Sequence, residues 1–121
     1  MMQGSVNRHR EATLRLVVRG QGAEQEIEAV IDTGFDGYLT LPAGVIAALG
    51  LRWRSRGGAL LADGSGSIFE IYEGTVIWDG ALRRILVHGV ETTPLLGMGL
   101  LEGYALRIEV RHGGRVVIDA L

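Results

Sequence analysis

Polar and apolar positions alternate with a period of two along much of this chain. In Glu24–Asp32, "EQEIEAVID", Ile27, Ala29 and Ile31 share one side, and Glu26 and Glu28 share the other. In "ALRIEV" (105–110), Ala105, Arg107 and Glu109 oppose Leu106, Ile108 and Val110, and "RVVIDAL" (115–121) is similar but less regular. Successive side chains of a strand point to opposite faces, so these runs predict strands with one apolar face. Leu14–Arg19, Ile68–Trp78 and Leu82–Val90 are further predicted strands. The 68–78 stretch is long for one strand, and Gly74 inside it reads as a bulge or bend. One stretch, "LPAGVIAALGL" (41–51), reads instead as a helix, with Pro42 in its first turn and Gly50 as its stop. A second short helix is expected after Gly97, in "GMGLLEGY". Residues 1–11 are expected to form a loose N-terminal segment. Glycines fall between the short apolar runs, and turns at such close intervals predict an all-β sandwich or barrel.

Composition narrows the function classes. The chain has 121 residues, 47% hydrophobic and 21% charged, which suits one globular domain with one core. Its net charge of −2 makes no electrostatic case for nucleic acid or an anionic membrane. The densest basic stretch, "RWRSR" (52–56), reads as a solvated face or loop. Without cysteine there is no disulfide, no thiol nucleophile and no Cys-based zinc site. The opening residues lack the apolar core of a signal peptide, and no apolar run approaches membrane-spanning length. The expectation is a soluble, cytoplasmic protein. His9, His88 and His112 show no ligand-like spacing, so no metal is expected. "GMGLLEG" (97–103) is not a dinucleotide-binding motif, because its third glycine is one residue late and no βαβ pattern surrounds it. Trp53 and Trp78 read as packing residues.

Chemistry is concentrated in "AVIDTGFDGYLTLP" (29–42), where an apolar strand runs into Asp32, a hydroxyl and a glycine. Two readings of Asp32 compete. Asp and Gly are turn formers, so Asp32 can cap a turn. Alternatively, it is a catalytic carboxylate held at a strand end and backed by apolar packing.

The order of parts weighs on this choice. "VIDTG" (30–34) is followed by the short helix, by a strand–turn–strand centred on "LLADGSGSIFEI" (60–71), and by "LLG" (95–97) before the second helix. This arrangement resembles the single-domain, retroviral-type (retropepsin-like) aspartic proteases and their bacterial relatives, from about residue 12 to 119. The resemblance implies an all-β, closed β-barrel-like acid-protease fold with one or two short helices. It implies a homodimer in which each subunit supplies one Asp32-Thr33-Gly34, and a peptide or protein substrate, with no cofactor. Two carboxylates about 3 Å apart cannot both ionise and so share a proton, as in aspartic proteases generally. One draws a proton from a water between them, and the other donates to the scissile carbonyl.

Roles for neighbouring residues follow from the same resemblance. The Thr33 hydroxyl would bond across to the other subunit, and Gly34 would let the backbone turn beside the carboxylate. Phe35, Asp36 and Gly37 would contact substrate, as would Ala62, Asp63, Gly64 and Ser65 in a hairpin flap, "LADGSG" (61–66). Leu95, Leu96 and Gly97 would cross behind the Asp32 loop and support it. Three positions depart from the family pattern. Phe35 stands where a small residue is usual, Met98 where an Arg partner for Asp36 is common, and Gly99 where bacterial relatives often have Asp. The rival readings are a non-cleaving peptide-binding or assembly module on the same fold, and an unrelated small β-barrel in which Asp32 caps a turn.

Overall fold

The computed structural model describes residues 1–60 and 66–121. The alternating runs become strands. In chain order, Met2–Val6 is β1, Ala12–Arg19 is β2, Glu24–Ile31 is β3 and Leu39–Leu41 is β4. The helix α1, Ala43–Leu49, follows, and then the long strands β5 (Arg52–Leu60), β6 (Gly66–Trp78) and β7 (Ala81–Gly89). The short strand β8 (Leu95–Leu96) leads into α2 (Met98–Leu101), and β9 (Tyr104–Ile108) and β10 (Arg115–Ala120) complete the fold.

The strands are hydrogen-bonded in the order β5-β6-β7-β4-β8-β3-β2-β1-β10-β9, and a further pairing of β6 with β2 closes a partial ring. The all-β expectation with two short helices holds, and β5 and the β1–β10–β9 group extend from the ring. β6 accounts for the closure. It pairs with β5 up to Glu73↔Arg52 and with β2 at Thr75 and Val76, so it changes neighbour at Gly74. Gly74 is not the expected bulge, since its register with β7 runs on through Gly74↔Ile85. The irregularity lies opposite, between Trp53 and Ser55 of β5.

Alternation decides what is buried. Leu14, Leu16 and Val18 of β2 face Ile27 and Ala29 of β3, and with Leu39, Leu41, Val76, Val87, Leu96 and Leu100 they build the core. Burying each large aliphatic side chain stabilises the fold by about 1.5–3 kcal/mol. α1 covers one end of this core through Ile46 and Leu49. Gly50 ends the helix in the left-handed region at φ 65°, a conformation that costs glycine little. Its N-terminus is held from a distance, where the Ala43 N–H donates to the Glu91 carboxylate at 2.6 Å.

Two expectations need correction. The N-terminal residues are not loose throughout, because Met2–Ser5 pair with β10, and Ser5 and Val6 pair with β2. Val6 is buried beside Ala12 and Val116. "RWRSR" is the solvated face expected, carried on strand β5, where Arg54 pairs with Glu73 and Arg56 with Glu70. Trp53 on the same strand is 55% exposed and donates its indole N–H to Glu70, so it is not a core packing residue. Trp78 is buried, with its ring edge-on to Tyr104. Among the described residues, no helix is long and apolar enough to cross a membrane.

Candidate active site

β3 delivers Asp32. Its last residues run parallel to β8, with Val30 opposite Leu95 and Ile31 opposite Leu96. β8 also meets β4, Leu39 opposite Leu96, so a strand of two residues has a neighbour on each side. The register continues into the loop, where the Asp32 N–H donates to the Leu96 carbonyl at 2.9 Å. β8 is itself pinned, since the Leu95 N–H donates to the buried Thr40 hydroxyl at 2.9 Å.

Past β3 the chain turns on its own acid. The Gly34 N–H donates to Asp32 Oδ1 at 2.9 Å and the Phe35 N–H to the Asp32 carbonyl at 3.1 Å. One carboxylate oxygen is thereby oriented by the backbone. Asp32 is half-buried, Thr33 and Gly34 are exposed, and Ala29 behind them is fully buried. Three more backbone bonds tie the rest of the loop to the segment after β8. Gly97 N–H donates to the Tyr38 carbonyl, Met98 N–H to Phe35 and Gly99 N–H to Gly37, at 3.0, 2.8 and 2.9 Å. The structure thus brings residues 32–37 and Leu95–Gly97 together. Ala62, Asp63, Gly64 and Ser65 lie outside the described residues; β5 and β6 on either side pair as far as Leu60↔Gly66.

Phe35 turns its half-buried ring into the loop's own packing. A Cβ built on Gly97 would overlap the Gly37 carbonyl oxygen and come within 2.6 Å of Phe35 Cδ2, and one on Gly37 would meet Phe35 Cζ at 2.5 Å. The absence of side chains at these two positions makes room for the large residue. Close approach also accounts for Gly99, where a Cβ would stand 2.8 Å from the Gly37 carbonyl oxygen. No side chain caps α2 at its N-terminus. Arg83 of β7 instead donates to the carbonyls of Gly99 and Leu100 at 3.3 and 3.4 Å, with its guanidinium 5.6 Å from the centre of the Tyr38 ring.

Four contributors escaped the sequence reading: Thr40, Phe69, Arg83 and His88. A threonine inside "LTL" was the one legible hint, since a buried hydroxyl needs a partner. His88 stacks on Phe69 at 4.7 Å between centroids and meets the Phe35 ring edge-on at 5.4 Å. Burial holds its pKa below the ordinary imidazole value, and the negative charge of nearby Asp36 opposes that shift. Asp36 is exposed, and among the described residues no ion pair engages it. No group of three or more His, Asp or Glu side chains among the described residues is placed to hold a metal ion.

No protein-family model and no curated protein matches the sequence. A solved structure does match the fold: a retropepsin-like aspartic protease from Rickettsia conorii superposes with a TM-score of 0.61, over 98% of this chain and 92% of that one. The chain has the retropepsin-like fold. Sequence identity across the match is 18%. The two chains share the fold while differing at most aligned positions.

Proposed function

We propose that this chain is an aspartic endopeptidase that works as a homodimer, with Asp32 of each subunit forming the acid–base pair. The observation that carries the reading is the Asp32-Thr33-Gly34 turn on the retropepsin-like fold, its carboxylate half-buried and oriented by the Gly34 N–H at 2.9 Å. The exposure of Thr33 and Gly34 supports it, since both would face the partner subunit across a two-fold axis.

In this mechanism one carboxylate is ionised and the other protonated. The ionised one takes a proton from water, whose oxygen bonds to the scissile carbonyl carbon. The protonated one donates to the carbonyl oxygen, giving a tetrahedral intermediate. The C–N bond then breaks as a proton passes to the leaving amine. No metal and no covalent enzyme intermediate is needed. The substrate peptide would lie extended, adding a strand beside the β5–β6 pair.

The second reading, a peptide-binding or assembly module that does not cleave, is favoured by Asp36. With Met98 following Gly97, this acid has no ionic partner among the described residues to order it against a substrate backbone.

The test is cleavage of a diverse peptide library across about pH 3 to 7, around the titration expected for such a pair. Wild type and Asp32→Asn are compared, with sedimentation reporting the oligomeric state. Cuts made by wild type and missing from Asp32→Asn are the expected result. A dimer that cuts nothing would favour the binding module.

A further inference from the structure

A row of rings crosses the molecule beside the Asp32 loop. It begins on β5, where a Cβ built on Gly57 would stand 2.7 Å from Phe69 Cε2, so the Phe69 ring lies across Gly57. On β6, Phe69 stacks on the imidazole of His88 of β7, with 26° between the planes. His88 meets the Phe35 ring edge-on, 67° between planes, and a Cβ on Gly37 would stand 3.2 Å from its Cε1. Phe35 closes the row against Gly97. Five positions far apart in the chain thus form one continuous line of contact, from the β5–β6 pair to the loop that carries Asp32.

Strand geometry explains the alignment. His88 lies opposite Ile71 in the β6–β7 register, and Phe69 is two residues from Ile71 on the same face. Diagonal neighbours of this kind are within reach of aromatic side chains. The row sits at the sheet surface, since Phe35, Phe69 and His88 are all half-buried, so it adds little to the core. Its contacts run between the two segments that a peptide would touch from opposite sides.

We propose that His88 is a positioning residue: clamped between Phe69 and Phe35, its ring carries the placement of the β5–β6 pair to the Asp32 loop. The consequence for cleavage rests on the proteolytic reading above, whereas the consequence for the loop rests on the contacts alone. A planar ring is what the position requires. His88→Phe keeps the stack, and His88→Ala removes it.

Amide hydrogen exchange at Gly34 and Phe35 reads the loop directly, because both N–H groups bond to Asp32. His88→Ala should speed exchange there by about fivefold, an ordinary size for coupling between contacting groups. kcat on a cleaved peptide should fall by a similar factor, with KM changing less. His88→Phe should restore both. Phe69→Ala, which truncates only a half-exposed ring, should also speed exchange at Gly34 and Phe35, but not when His88 is already Ala. The proposal is overturned if exchange at Gly34 and Phe35 in His88→Ala matches wild type, or if Phe69→Ala acts equally with and without His88. It is equally overturned if His88→Phe behaves as His88→Ala. Should wild type cleave nothing while the exchange pattern holds, the coupling stands and the protease reading falls.

Discussion

The Asp32 loop and the turn at 109–115 are both sharp reversals after a strand, each tied by backbone bonds to a segment far away in the chain, yet they treat their acids differently. In the turn, whose Gly113 and Gly114 also bond through the backbone to Val6 of β1, the acid is bound by a side chain close in sequence. Glu109 accepts from the Arg115 guanidinium on both carboxylate oxygens, at 3.1 Å each, and from the Arg115 backbone N–H. These bonds to Arg115 pull the Glu109 pKa down to about 2. In the Asp32 loop, the ties come from main-chain groups of a segment about 60 residues away and from rings seated on bare glycines. The loop's acid has one carboxylate oxygen engaged by its own backbone, and among the described residues no ion pair engages it. A structural carboxylate is stabilised by its partner. The carboxylate proposed to do chemistry is stabilised by the scaffold around it, which leaves the group itself available.

Substitutions should separate the two modes. The largest effect belongs to Asp32→Asn, which should lower kcat/KM by about a hundredfold to ten-thousandfold while leaving the circular dichroism and melting curve near wild type. Marked unfolding of this variant would break the comparison, because it would make Asp32 a structural acid like Glu109. Next is Gly97→Ala. Overlap with the Gly37 carbonyl and the Phe35 ring should cost about 2–3 kcal/mol, read from urea unfolding, and a variant as stable as wild type would mean that glycine packing does not hold the loop.

A smaller effect should come from pH. His88 is neutral in both folded and unfolded chains at high pH and contributes no pH dependence there. As pH falls below about 6.5, the unfolded chain takes up the proton more readily, because burial disfavours the charged ring in the folded state. Stability should therefore decline through this range in wild type and decline less in His88→Phe, as thermal melts between about pH 7 and 5 would reveal. The smallest effect is expected from Glu109→Gln. The pair's contribution is present above the ordinary glutamate range and is lost as pH falls toward about 2, so the variant should differ from wild type near neutrality and converge with it in acid. A surface pair of this kind is worth little, and a large neutral-pH loss would show that the turn depends on this pair more than on its backbone bonds to Val6.

Much of this fold was legible because strand alternation is a local property. Ile27, Ala29 and Ile31 had to share a face whatever lay across from them, and Ile27 and Ala29 are buried as that pattern requires. The C-terminal limit of α1 was legible for the same reason, since Gly50 acts on its own backbone, whereas Pro42 stands before the helix in an extended conformation and not in its first turn. The N-terminal strand was missed because the alternation of "MQGSV" is short and has a glycine at the centre of its inner face, and the strand is ordered by the backbone of β10. "RWRSR" was legible as a solvated face, since its arginines pair in solvent with acids of the neighbouring strand.

The sequence by itself determined the strands with a period of two, the two helices and the Asp32-Thr33-Gly34 turn, since each depends on neighbours within a few residues. Only the tertiary structure decided that Leu96 accepts from Asp32, that Thr40 pins β8, and that His88 stands between Phe35 and Phe69. Those contacts join segments brought together by ring closure, and a histidine's neighbours across a sheet leave no trace in the residues beside it.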